Sequence, residues 1–161
     1  MKTFLALLNQ AATIAKKAYP NSKFCAADGR ASHGIASQEK EVDTWRFQFL
    51  EPPPFTLTRS VLLEYLANGF GSPVLKNEPI LGCEVIELPI AMELGSAIEL
   101  KNKAGHSAPF KAVGLRWPLS PGNVEPLYIF TEATTTGRLI LVGTKSGQVN
   151  TCDDGVSLTG R

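Results

Sequence analysis

Side chains that could carry out catalysis are few in this chain, and His106 is the first to consider. It follows Gly105 directly after a predicted helix, and its neighbours supply neither a nucleophile nor an acid to orient the imidazole. We therefore predict that His106 is a cation near the last carbonyls of that helix, and that the chain has no catalytic residues. An enzyme of unknown reaction centred on His106 is kept as the third of three hypotheses.

The three cysteines, Cys25, Cys83 and Cys152, lie far apart, and none forms a C-x-x-C motif. A zinc ion would need a fourth ligand from His33 or His106, and neither histidine has the spacing found in zinc fingers. We therefore expect three buried, reduced cysteines, no metal and no cofactor. One disulfide with one free thiol is the alternative.

The charge of the chain argues against partners that require a strong electrostatic field. The formal net charge is +1 and no basic cluster is present, so nucleic acid is not expected as a partner. No run approaches the ~18 apolar residues of a membrane span. Phe4–Leu8 resembles the start of a secretory signal, but Asn9 and Gln10 end it short of the ~7–15 residues required. We expect a soluble protein that is cytoplasmic or leaderless, with secretion left open.

The aromatic residues indicate where binding could take place. Most of those on predicted strands are expected to fill the core between sheet and helices. Trp117 is the exception, because it stands between Arg116 and Pro118 at a predicted strand end, where a tryptophan beside an arginine is a common binding anchor. The candidate binding residues are Trp117, Arg116, Trp45 and Tyr128.

Apolar residues recur with the period of a helix in two parts of the chain. The first predicted helix runs from Thr3 to Tyr19 and has a continuous i, i+3, i+4 stripe. The second covers about Ile90–Ala104, and Gly105 follows its end, where a left-handed residue is common.

Strands are predicted where β-branched and aromatic residues lie between turn formers. The second half contains a meander of three such segments, and the first half contains two or three. In chain order the predicted strands are Phe24–Ala27, Trp45–Phe49, Val61–Ala67, Phe110–Trp117, Leu127–Thr131 and Arg138–Gly143. Asp28–Arg30 is predicted to be a turn, and Gly82–Leu88 is a strand or an extended lead-in to the second helix.

These elements predict an α+β fold in a single domain, residues 1–161. An antiparallel sheet meander packs on one or two amphipathic helices. Two loosely similar halves, residues 1–80 and 81–150, are a hypothesis, because each contains an amphipathic helix and a strand in which arginine adjoins tryptophan. Residues 151–161 are predicted to form a polar surface tail.

Four segments of the second half carry a family resemblance: Met92–Leu100, Val113–Arg116, Pro126–Phe130 and Val142–Val149. Their apolar pattern and turn residues resemble the PepSY-type domains, small α+β units that are cystatin-like in wrapping a sheet around a helix. Gly143 stands where that family usually has an acidic residue. The resemblance implies a non-catalytic module that binds or regulates another protein, and it brings no catalytic residues with it.

The leading hypothesis is therefore a non-catalytic binding or protein-interaction module, regulatory or inhibitor-like, whose partner is another protein. The alternative is a binder of small ligands or carbohydrates that uses an aromatic sheet face. An apolar pocket would favour the alternative, whereas an exposed apolar patch or an unpaired strand edge would favour the first. The sheet face that lacks a helix, and whether this face is polar, would distinguish the two hypotheses.

Overall fold

The first helix begins where the sequence provides a cap. In the computed structural model, which describes residues 2–51, 59–78, 83–118 and 124–152, helix α1 spans Phe4–Ala18. The Thr3 hydroxyl accepts a hydrogen bond from the Ala6 amide at 3.3 Å and so satisfies one free donor of the first turn. The predicted stripe is confirmed, and its buried residues are Phe4, Leu7, Leu8, Ala11 and Ala15.

A single antiparallel sheet contains all nine strands of the described residues. The strands are β1 Lys23–Arg30, β2 Thr44–Glu51, β3 Arg59–Leu66, β4 Gly69–Phe70, β5 Val74–Lys76, β6 Phe110–Arg116, β7 Leu127–Glu132, β8 Leu139–Gly143 and β9 Val149–Cys152. Their order is β4-β3-β2-β1-β6-β7-β8-β9, and β5 pairs with another part of β3. With the second helix α2 at Leu94–Lys103, the predicted α+β fold is confirmed.

Strand alternation gives this sheet two different faces. On β2, Trp45, Phe47 and Phe49 are buried, whereas Arg46 is exposed and Gln48 is half-buried. The buried face packs against α1, α2 and segment 83–93, which share one hydrophobic core with it. Within the described residues, neither helix lies over the opposite face. We call it the open face; among its residues are Asp28, Arg30, Arg46, Gln48, Leu62, Glu64, Leu66, Ala112, Gly114 and Arg116.

The two meanders of the chain meet in the middle of the sheet. Strand β1 is the first strand after α1 and β6 is the first after α2, and they pair antiparallel over residues 26–29 and 113–116. The first meander extends from this junction towards β3 and the second towards β9. Both meanders therefore contribute to one continuous sheet, while the division near residue 80 and the duplication of halves stay predictions.

The predicted turn at Asp28–Arg30 is wrong, because these residues belong to β1. Gly29 in this segment is needed for close packing and not for a turn. A Cβ on Gly29 would lie 2.7 Å from ring carbons of Trp45 and 2.7 Å from a Val42 methyl group. Gly29 thus provides the space in which the Trp45 indole covers the strand.

Two further boundaries differ from the predictions, and one open alternative is decided. Helix α2 begins at Leu94, four residues later than predicted, because Glu93 with extended backbone is its N-cap. Residues 83–88 form no strand, which leaves the lead-in to α2 of the two predicted alternatives, and the Ile86 amide donates to the Phe24 carbonyl at 2.8 Å. The first two residues of the predicted tail pair with β8 as part of β9, and residues 153–161 lie outside the described residues. Gly105, with φ of 96°, ends α2 as predicted.

Cys25 and Cys83 form a disulfide, which contradicts the prediction of three reduced cysteines. The β1–β2 register shifts between Phe24 and Ala26, so Cys25 sits at an irregularity in the ladder. There it meets Cys83 at the start of segment 83–93, with the two Cα atoms 5.7 Å apart. The two cysteines are separated by 58 residues, and their approach depends on how this segment crosses the end of β1.

Candidate functional site on the open face

A cavity of about 470 Å³ lies at the centre of the open face. Four neighbouring strands, β3, β2, β1 and β6, contribute to it. Ala112 on β6 contributes a small side chain, whereas Arg30 on β1 and Arg46 on β2 contribute long, exposed ones. The residues around the cavity are Asp28, Arg30, Thr44, Trp45, Arg46, Glu64, Leu66 and Ala112.

The charges in this cavity are only partly paired. The Arg116 guanidinium donates to the Asp28 carboxylate at 3.0 Å across the β1–β6 junction. In the strand register, Arg46 lies directly across from Asp28 on one side and from Glu64 on the other. Neither Arg30 nor Arg46 has an ion pair within 4.0 Å among the described residues. The cavity is thus lined by two arginines and two carboxylates, Arg116 pairs with one of these carboxylates, and the exposed guanidinium donors of Arg30 and Arg46 are available to a ligand.

A second cavity of about 420 Å³ adjoins the first one on the side of β3. Both cavities are bordered by Glu64 and Leu66, so they form one trough. Leu62 and Val74 make the second cavity more apolar, and the side chains of Leu66 and Val74 are 50% and 51% exposed. We call the first cavity the charged end and the second cavity the apolar end of the trough.

The four residues predicted to bind a partner are separated by the fold. Arg116 lies on the open face, where it is exposed. Trp45 is 3% exposed and its ring packs 4.4 Å from the ring of Phe4, so it borders the cavity without presenting its ring there. Tyr128 is fully buried, and its hydroxyl donates to the Met92 carbonyl at 2.7 Å. Neither of these two rings has a surface to offer a partner.

Trp117 lies between the core and solvent. It is half-buried against the core, directly after the last residue of β6. Its indole N–H donates to the Val85 carbonyl at 3.1 Å, and so Trp117 holds segment 83–93 against the sheet. The ring lies on the helix-covered face, opposite to Arg116, because the two residues are neighbours on an extended chain.

We expect Trp117→Ala to lower the free energy of unfolding by about 1–3 kcal/mol, because apolar contact with the core is lost. Urea denaturation followed by circular dichroism measures this change. Trp117→Phe is the matched control, since it keeps most of the ring and loses only the N–H donated to Val85. An unchanged unfolding midpoint in Trp117→Ala would show that the ring contributes nothing to the core.

The surroundings of His106 are occupied by structural hydrogen bonds. Its amide donates to the Lys101 carbonyl at 3.1 Å, and its carbonyl accepts from the Lys101 Nζ at 2.5 Å. Burial lowers the pKa of Lys101, whose ammonium also donates to Ala108 and lies 5.8 Å from the ring centres of Phe110 and Phe130. Lys101 therefore closes the C-terminal end of α2. The described residues contain no group of three or more histidine, cysteine or acidic side chains placed to hold a metal.

A buried carboxylate, Glu125, supports the turn between β8 and β9. Burial raises its pKa, but hydrogen bonds from Ser146 and Lys145 outweigh this effect, and the pKa is lowered overall. The Ser146 amide donates to the Glu125 Oε1 at 2.8 Å, and the Lys145 amide donates to the same oxygen at 2.6 Å. A Cβ on Gly143 would come within 2.7 Å of this carboxylate, which explains the glycine at that position.

Sequence reasoning missed most of the residues around the trough. Arg30, Arg46, Glu64 and Leu66 come from three strands, and only their register places them together. One signal was present in the alternation of β2, because burial of Trp45, Phe47 and Phe49 requires Arg46 to point away from the core.

Comparison with protein-family models, curated proteins and solved structures found no match to this chain. No helix in the described part of the chain is long and hydrophobic enough to cross a membrane.

Proposed function

We propose that this protein is a non-catalytic module that binds another protein, and that the open face is its contact surface. The observation that carries the proposal is the cavity of about 470 Å³, with the exposed Arg30 and Arg46 in its lining, on the sheet face that neither helix covers in the described residues. Arginine is enriched in protein interfaces, because its planar guanidinium presents five donors. The resemblance of the second half to PepSY-type domains supports the same function.

The apolar end of the trough supports a protein as the partner. Leu66 and Val74 are each about half exposed and lie beside the charged end. Large apolar side chains next to exposed arginines are typical of protein contact surfaces, in which an apolar centre is surrounded by polar groups. Burial of these side chains by a partner would contribute favourable free energy that the isolated chain lacks.

A small polar ligand is the second candidate, and the volume of the cavity favours it. A cavity of about 470 Å³ falls within the range of small-molecule sites, ~300–1,000 Å³. Such sites are mostly apolar and enclose most of their ligand, whereas this cavity is lined by four charged side chains and is open to solvent. We therefore place a protein partner first.

The Cys25–Cys83 disulfide supports an oxidising compartment as the place where the protein acts. Structural disulfides persist in such compartments and are rare in the cytosol, where thiols are kept reduced. This inference replaces the expectation of a cytoplasmic protein.

Site-specific photocrosslinking tests the open face as the contact surface. We expect a benzophenone amino acid at position 48, in place of Gln48 on the open face, to form an adduct with a protein of the source organism. The same amino acid at position 17, in place of the exposed Lys17 of α1, should not form that adduct. Adding Arg46→Met to the position-48 variant should reduce the adduct at least fivefold, because the cavity loses an exposed guanidinium. Equal adducts from positions 48 and 17, or none from position 48, would contradict the proposal.

A further inference from the structure

The trough combines two kinds of surface at a fixed spacing. Arg46 at the charged end lies across from Glu64, and Leu66 follows Glu64 by two residues on the same face of β3. Neighbouring strands are ~4.8 Å apart and alternate residues of a strand are ~6.7 Å apart, so the Cα atoms of Arg46 and Leu66 are separated by about 8 Å. The trough therefore presents a guanidinium and a large apolar side chain at this separation.

The repeat distance of an extended peptide is close to this separation between Arg46 and Leu66. Its residues i and i+2 are ~6.7 Å apart and point to the same side, whereas residues i and i+1 point to opposite sides. A carboxylate at one position and a leucine-sized side chain two residues away would reach Arg46 and Leu66 together, because both side chains are exposed and adjustable.

The charge of the trough limits how acidic such a segment can be. Arg116, which lies outside the cavity lining, pairs with Asp28. Among the described residues this leaves Arg30, Arg46 and Glu64 as the charged side chains of the trough without an ion pair, a surplus of one positive charge. A single carboxylate matches this surplus. A nucleic acid backbone is a poor match, because it brings one negative charge per phosphate and needs many cations.

We propose that the segment recognised by this trough is an extended acidic–apolar stretch of a partner protein, in which a carboxylate and a large apolar residue stand two positions apart. The proposal rests on the proposed function, since it names the chemistry of the partner that the open face binds. The carboxylate lies at the charged end, between Arg30 and Arg46, and the apolar side chain lies against Leu66 and Val74 at the apolar end.

Titration of the ¹⁵N-labelled protein with three synthetic peptides tests this assignment by nuclear magnetic resonance, which detects millimolar affinities. The first peptide, acetyl-SDSLSDS-amide, places leucine two residues from each aspartate. The second has the same composition in the order acetyl-SSDLDSS-amide, so that leucine adjoins both aspartates. The third replaces both aspartates of the first by lysine. We expect amide shifts at residues 30, 46, 66 and 74 with the first peptide, at least fivefold weaker binding of the second, and no shifts at these residues with the third.

Substitutions in the trough test whether the amide shifts come from peptide bound there. Arg30→Glu should weaken binding of the first peptide at least fivefold, whereas Lys17→Glu on α1 makes the same change in charge and should leave the affinity unaltered. Leu66→Ser should also weaken binding, and its circular dichroism should stay native because this side chain is half exposed.

The outcomes separate this proposal from the proposed function. Equal binding of all three peptides, or no shifts on the open face up to about 10 millimolar peptide, would overturn the acidic–apolar assignment. If position 48 nevertheless forms a protein adduct that Arg46→Met weakens, the open face is still the contact surface and the partner segment has another chemistry. If the peptides cause no shifts on the open face and position 48 forms no adduct, the proposed function is overturned as well.

Discussion

Replacing Leu8 by aspartate is expected to unfold the protein. Leu8 is 1% exposed on the buried face of α1, within the core formed with the sheet. A carboxylate there would be removed from water without a partner, at a cost of several kcal/mol, and the apolar contacts of leucine would be lost as well. Because domains of this kind have a total stability of ~5–15 kcal/mol, we expect the folded population to be small at neutral pH.

Circular dichroism and thermal denaturation measure this effect. Asn9→Asp is the matched control, because it introduces the same carboxylate one position further along α1, where the side chain is exposed. Asn9→Asp should keep the melting temperature of the parent protein. A native spectrum and an unchanged melting temperature in Leu8→Asp would show that α1 is peripheral to the fold.

Reduction of the Cys25–Cys83 disulfide is expected to produce the second largest loss of stability. The bond closes a loop of 58 residues, and the restriction it places on the unfolded chain corresponds to about 4 kcal/mol. We expect dithiothreitol to lower the melting temperature by roughly 10 °C or more, since each kcal/mol shifts it by ~2–4 °C in a domain of this size. Thermal denaturation with and without the reductant checks the expected shift.

The double variant Cys25→Ala/Cys83→Ala separates loss of the disulfide from other effects of the reductant. Its melting temperature should match that of the reduced parent, and dithiothreitol should not lower it further. If the parent melts at the same temperature in both conditions, the bond either does not form or does not stabilise the fold.

Local sequence patterns predicted the elements that are determined by residues close together in the chain. The stripe of α1 and the alternation of Trp45, Phe47 and Phe49 are determined by the periods of helix and strand, and the structure confirms both. The left-handed residue Gly105 was also predictable, because the end of a helix creates the need for it.

Features that depend on distant packing were not predictable in this way. Gly29 resembles a turn residue in the sequence, and only the position of the Trp45 ring reveals why a side chain is excluded there. Cys25 and Cys83 meet because segment 83–93 crosses the end of β1, which no local pattern encodes. The charged end of the trough likewise requires the register of three strands, so its arginines could be predicted to be exposed but not to lie together.

The junction between β1 and β6 has a consequence for the order of folding. Except for β5 on β3, every other pair of neighbouring strands is consecutive along the chain and can form as a local hairpin. Asp28 and Gly114, which pair at the junction, are separated by about half of the chain, so this pairing carries the largest loop-closure entropy. During synthesis, β1 has an uncovered inner edge until β6 emerges from the ribosome, and such an edge is a template for pairing with other chains. The interval between the two strands is therefore the period in which the nascent protein is most exposed to aggregation.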